Sequence, residues 1–172
     1  MACDALTKSR ARACSSNLAG NSILYLFDRT ADAFTVSATT NEATAVNYAG
    51  AVYSYELEND GNTLSQAMVG DLNSGTRVNT QTATFVLPGM SVEDSAEFNL
   101  LAASGAQAVV KTRNGDYLAL GNRAGLNWSI TSDTGGAAND ANGYTVVGVA
   151  QENTLAPYLD AATVTAFLLL VV

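Results

Sequence analysis

A chain of 172 residues with a net charge of -8, two cysteines and no histidine is long enough for one domain with a real core. It cannot assemble a common four-ligand zinc site or a His-activated nucleophile, and its acidity argues against a nucleic-acid reader that draws affinity from Lys and Arg. Only 14% of its residues are charged while 48% are hydrophobic, a weakly charged surface that suits a protein covered by its own copies, and equally an ordinary secreted β-protein.

Residues 1–20 read as an N-terminal arm, with residues 21–172 forming one β-sandwich domain. The arm places Lys8, Arg10 and Arg12 between Cys3 and Cys14 with Asp4 as its sole acid, so the acid excess belongs to the rest of the chain. Those cations are either a solvated terminus or a clip for an acidic neighbour. Cys3 and Cys14 either close a disulfide or stay as two reduced thiols, the state a cytoplasmic product favours. No apolar leader stretch stands in the first twenty residues, so assembly in the cytoplasm is expected.

The apolar run SILYLF (22–27) and the alternating FTVSAT (34–39) are strand candidates. In AVYSYELEND, Tyr53, Tyr55 and Leu57 point one way and Ser54, Glu56 and Glu58 the other, the period of a strand with one wet face. Residues 59–79, rich in Gly, Asn, Ser and Asp, read as a long loop, which in a compact domain tends to be functional. TQTATFVLPG is a strand that must end at Pro88.

The next segment, at about residues 91–104, predicts the one helix: Ser91 caps it, Glu93, Asp94 and Glu97 suit its positive end, and Gly105 stops it. Val92, Ala96 and Leu100, with Leu101 beside them, are expected to form the buried face. Asn114-Gly115 predicts a hairpin with a tight type I′ turn. Leu126, Trp128 and Ile130 share one side of a further strand, and GYTVVGVAQE is another. The apolar ending TVTAFLLLVV, about half a membrane span, reads as a buried strand or as a tail docked on a neighbouring subunit. The expected fold is mainly β, a β-sandwich or partly closed barrel of about eight strands with one packed α-helix, a long inter-strand loop and an extended N-terminal arm.

Catalytic and metal motifs are scarce. Glu56 and Glu58 share an exposed strand face, whereas a glycosidase pair must flank a sugar bond. DLNSGTR resembles the start of a calcium loop, yet Gly75 falls one place early and Thr82 stands where the bidentate Glu belongs. No cofactor and no metal are expected, and no enzyme activity.

The opening ACDALTKSRARAC is similar to the start of small virion proteins of tailed bacteriophages of environmental bacteria. The order of AVYSYELEND, a long loop, TQTATFVLPG, SVEDSAEFNLLAAS, VVKTRNGDYLALG and GYTVVGVAQENTLAPYL resembles that of phage tail tube proteins. The resemblance implies a non-enzymatic subunit that forms hexameric rings with copies of itself. The rings stack, beside other virion proteins, into a conduit through which DNA passes without specific binding and without a membrane partner. It further implies that Glu56 and Glu58 face the lumen, that Lys8, Arg10 and Arg12 form an inter-subunit arm, and that Leu64, Met68, Val69, Asp71 and Arg77 belong to a loop between rings. A capsid decoration or another virion ring protein is the alternative. A carbohydrate-binding sandwich with Trp128 or a tyrosine as sugar platform is the alternative of another class.

Overall fold

The computed structural model describes residues 17–57, 61–71 and 73–172; Cys3, Lys8, Arg10, Arg12, Cys14 and Glu58 lie outside the described residues. The chain is a β-sandwich with no closed barrel. Its elements run β1 (Asn21–Phe27), β2 (Phe34–Val36), β3 (Glu42–Val46), β4 (Val52–Glu56), β5 (Thr63–Asp71), β6 (Thr76–Pro88), α1 (Val92–Ser104), β7 (Gln107–Thr112), β8 (Tyr117–Leu120), β9 (Asn127–Asp133), β10 (Gly143–Glu152), β11 (Tyr158–Leu159) and α2 (Ala161–Leu168). A seven-stranded sheet has the order β2-β3-β11-β8-β7-β1-β4 and a four-stranded sheet the order β5-β6-β10-β9.

Two apolar layers hold these sheets. Between them, Leu24, Leu26, Ala108, Val110, Leu118 and Leu120 of the larger sheet meet Ala83, Phe85, Trp128, Tyr144 and Val146 of the smaller one. On the far side of the larger sheet, Tyr25, Phe27, Phe34, Val52, Val109 and Ala119 gather around Phe167 of α2. The seven-stranded sheet is therefore covered on both faces, which explains why Leu24, Tyr25, Leu26 and Phe27 are buried in succession. Burial in β6 and β10 alternates instead, because among the described residues nothing packs on one face of the smaller sheet.

Trp128 fixes the spacing within the sandwich. Its indole N–H donates to the Ala106 carbonyl at 2.9 Å, and its ring lies over Gly148, where an added Cβ would stand 2.6 Å from the ring. Buried Gln107 ties the connections at one end: its side-chain amide donates to the carbonyls of Thr30, Gly121 and Asn122, and its oxygen accepts the Thr30 N–H. A satisfied buried amide thus supplies hydrogen bonds to carbonyls of two connections.

Several expectations change. The segment 59–79 is no loop: most of it is β5 and the start of β6, paired without interruption from Thr63↔Thr84 to Asp71↔Thr76. Its polar composition is that of an edge strand bathed by water on most sides, so it lacks the apolar run that marks inner strands. Helix α1 begins and ends as its caps dictate, with Ser91 Oγ accepting the Asp94 N–H at 3.0 Å and Gly105 left-handed at φ 63°. Its buried face, however, is Phe98 and Leu101, while Val92 is 88% and Leu100 65% exposed. Phe98 has the larger apolar surface to bury, and its ring meets that of Tyr144 edge-on at 4.7 Å.

Tyr55 and Leu57 pack on the inter-sheet core as expected, but Tyr53 stays exposed at the sheet edge and Val52 is buried on the opposite face. The turn at Asn114-Gly115 encloses three residues between Thr112 and Asp116, with the Gly115 N–H on the Thr112 carbonyl and the Thr112 N–H on the Asp116 carbonyl. Gly115 at φ 94° makes this the turn-plus-bulge hairpin rather than the two-residue type I′. The apolar C-terminus is a helix: Asp160 caps α2, Phe167 enters the outer core, and Val171 then bridges to Val52 of the same chain. With β3, β5 and β11 added, there are eleven strands and a second helix among the described residues.

Candidate assembly surface

The four edges of the two sheets are treated very differently. In the larger sheet, β2 is three residues long with a register shift between Thr35 and Val36, and β4 is bridged by Val171. Short, bulged or covered edges are how a sheet avoids pairing with other chains. Among the described residues of the smaller sheet, β5 has nine residues and pairs only with β6, and β9 has seven, pairs only with β10 and has α1 packed against it. Neither edge contains Lys, Arg or Pro. Each has a row of backbone donors and acceptors that no described strand pairs, over about 30 Å for β5.

The outward face of this sheet is equally distinctive. Register places Thr63, Thr84, Val147 and Ser129 in one row, and Ser65, Thr82, Val149 and Asn127 in the next. Further rows hold Ala67, Thr80 and Gln151, and Val86, Thr145 and Thr131. Hydroxyls and small apolar groups alternate across it, and these rows include no charged residue.

At its root the β5–β6 hairpin is held to the body. Asn79 donates to Gln66 Oε1 at 3.1 Å and to the Thr154 carbonyl at 2.9 Å, and the same Gln66 oxygen accepts the Ala156 N–H at 2.7 Å. Asn79 Oδ1 is buried without a partner. Arg77 Nε, from the strand that returns from the tip, donates to the Asn153 carbonyl at 3.0 Å.

The residues singled out from sequence divide accordingly. Leu64 and Met68 lie on the core side of β5, with Leu64 packed against the inter-sheet core and Met68 partly exposed. Val69 lies on the outward side and is 68% exposed. Asp71 ends β5; the Asn73 N–H, 2.8 Å from Asp71 Oδ1, and then the Ser74 hydroxyl hold its carboxyl below the ordinary value of 3.8. Glu56 is exposed on β4 of the other sheet, away from the uncharged face. The structure thus brings Leu64, Met68, Val69, Asp71 and Arg77 into one hairpin and leaves Glu56 apart. Thr82, Thr84, Val147 and Val149 were missed because only pairing shows that they share a surface.

Elsewhere the side chains are committed to structure. Tyr25, pushed up to about 12 by burial and then by the neighbouring Tyr117, stacks with Tyr117 at 6.2 Å in the outer core. Asp140 is held below the ordinary carboxylate value by the N–H groups of Ala137 and Gly136, which shape the 134–142 loop. A recess of about 620 Å³ at Asn21, Thr63, Gln66 and Tyr158 has no acid, Cys or His in its lining. A second, of about 460 Å³, contains Asp32 and Glu152, but Asp32 faces Arg123 at 3.7 Å and Glu152 accepts the N–H groups of Arg123 and Ala124. Trp128 is 8% exposed and offers no open ring face to a sugar. Among the described residues, no three His, Cys, Asp or Glu side chains form a metal cluster, and no helix is long and apolar enough to cross a membrane.

No family model, curated protein or solved structure matches the chain.

Proposed function

We propose that this chain is a non-enzymatic structural subunit that assembles with copies of itself by pairing sheet edges, and that its place is the tail tube of a bacteriophage virion. The observation that carries the reading is the pair of long edges β5 and β9, each paired on one side only among the described residues, on one sheet, against the short or bridged edges of the other. Pairing β5 of one copy with β9 of the next is heterologous, so repeated contacts close into a ring if the rotation allows it. Six subunits per ring is the number that the sequence resemblance implies.

In such a ring the four-stranded sheets join into one continuous wall, and the face of Thr, Ser and Val rows lines one side of it. A lumen of that composition suits passing DNA: it offers no cation to hold a phosphate and no apolar patch to hold exposed bases. The lumen surface is then the rows through Thr82 and Thr84 rather than Glu56.

The test is negative-stain electron microscopy of the concentrated protein beside S65K/V69K, which puts two cations on the open edge. Rings or hollow tubes from the unaltered chain, lost in the variant while its circular dichroism is unchanged, are the expected result. Monomers at every concentration, or equal assembly of the variant, would defeat the edge-pairing mechanism.

A further inference from the structure

Helix α1 carries an apolar stripe that the described residues leave exposed. Val92, Ala96 and Leu100 follow one another at four-residue spacing on the outside, with Met90 44% exposed just before them. Along one border of this stripe stand Glu93 and Glu97, four residues apart and both exposed. Like charges at that spacing oppose each other on a helix, and a cation between them removes the cost. Asp94, by contrast, is already engaged with the Ser91 hydroxyl at 2.7 Å. The helix has no basic residue in its last turn, and none among its 13 residues.

The chain supplies few cations to meet that rail. Of its 8 Lys and Arg residues, Arg29 lies beside Gly105 and Gly125, Arg77 holds Asn153, Lys111 sits over the Tyr117 ring, Arg123 faces Asp32, and Arg113 is also engaged. The other three, Lys8, Arg10 and Arg12, alternate with Ser9, Ala11 and Ala13 in the segment before the described fold. In an extended segment alternate side chains stand about 6.8 Å apart. Glu93 and Glu97 are about 6 Å apart along the helix axis. The two repeats match.

The segment joins the described fold beside Leu18, whose N–H donates to Asn114 Oδ1 in the β7–β8 turn of the larger sheet, whereas α1 packs on β9 at the edge of the smaller one. Through Phe98 the helix also meets Tyr55 of β4, so its inner side is taken up by both sheets and the stripe faces out of the sandwich.

We propose that residues 1–16 of one copy dock on the outer face of α1 of a neighbouring copy, with Lys8, Arg10 and Arg12 on the Glu93–Glu97 rail and Ala11 and Ala13 over Val92, Ala96 and Leu100. The inference rests on the reading of the chain as an assembly subunit, and its test separates the two. Full-length protein, half of it labelled with ¹⁵N, is mixed before concentration and treated with a carbodiimide, which joins a lysine amine to a carboxylate without a spacer. Peptide pairs of mixed isotope linking Lys8 to Glu93 or Glu97 are expected. In E93K/E97K those links cannot form, and adding K8E, which exchanges amine and carboxylate between arm and helix, should restore them at the same positions. Links confined to unmixed pairs, which would place the arm on its own helix, or Lys8 links that ignore α1, would overturn the proposal. Rings without mixed links would remove the strap and leave edge pairing standing; mixed links without rings would do the reverse.

Discussion

The two sheets of this protein solve opposite problems. The seven-stranded sheet is buried on both faces, between the smaller sheet and α2, and its edges are short, bulged or bridged. The four-stranded sheet buries one face, bares the other among the described residues, and ends in two long strands paired on one side only. A sheet covered on both faces supplies stability; one with a bare face and long edges paired on one side supplies surface for other copies. The difference teaches that stability and assembly are carried by separate layers of one small fold.

That division can be broken from the stable side first. Phe167 is fully buried and its ring meets those of Tyr25, Phe27 and Phe34 within 6 Å. Phe167→Ala should destabilise the fold by about 3–5 kcal/mol, read as a fall in the urea midpoint, because it opens a cavity under α2. Between the sheets, Gly148→Ala would set a methyl against the Trp128 ring, and a loss of about 1–3 kcal/mol with a shift in tryptophan emission is expected. Pairing it with Trp128→Leu should recover part of that loss; a Gly148→Ala protein as stable as its parent would show that the sheets can part freely.

The cover over the larger sheet should also weaken in acid. Asp160 Oδ1 accepts the Thr163 N–H at 2.7 Å, which lowers its carboxyl below the ordinary value of 3.8. A depressed carboxylate contributes its full stability above the unfolded value and loses it as pH falls through the lower folded value. The melting temperature should therefore drop below about pH 3.8, and Asp160→Asn, which keeps the cap without the charge, should flatten that part of the profile. The smallest effect on stability belongs to the open face. Thr82→Lys should leave the fold within about 0.5 kcal/mol of its parent, yet make assembled protein retain DNA at low salt; a large loss of stability would mean that this face is covered after all.

Much of this architecture is legible in the residues. SILYLF predicts a buried strand because a two-sided burial needs an unbroken apolar run, and Ser91 and Gly105 set the ends of α1 through their backbone preferences. Leu126, Trp128 and Ile130 announce a core face by their spacing. The β5–β6 hairpin was hidden, since an edge strand's main commitment is to backbone hydrogen bonds, which side-chain identity barely records. The C-terminal helix was hidden for a related reason: a short apolar run reads the same in a strand and in a helix until its neighbour is known.

The sequence by itself determined the β-rich class, the caps of α1, the stop at Pro88 and the core side of the strand at Leu126, Trp128 and Ile130, because each follows from local geometry or from the period of apolar residues. Only the tertiary structure decided that Phe98 rather than Leu100 faces inward, that β5 and β9 stand at open edges, and that hydroxyls from four strands form one surface. Those outcomes depend on which strands pair and in what register, and pairing between distant segments is set by the sum of many contacts rather than by any one residue.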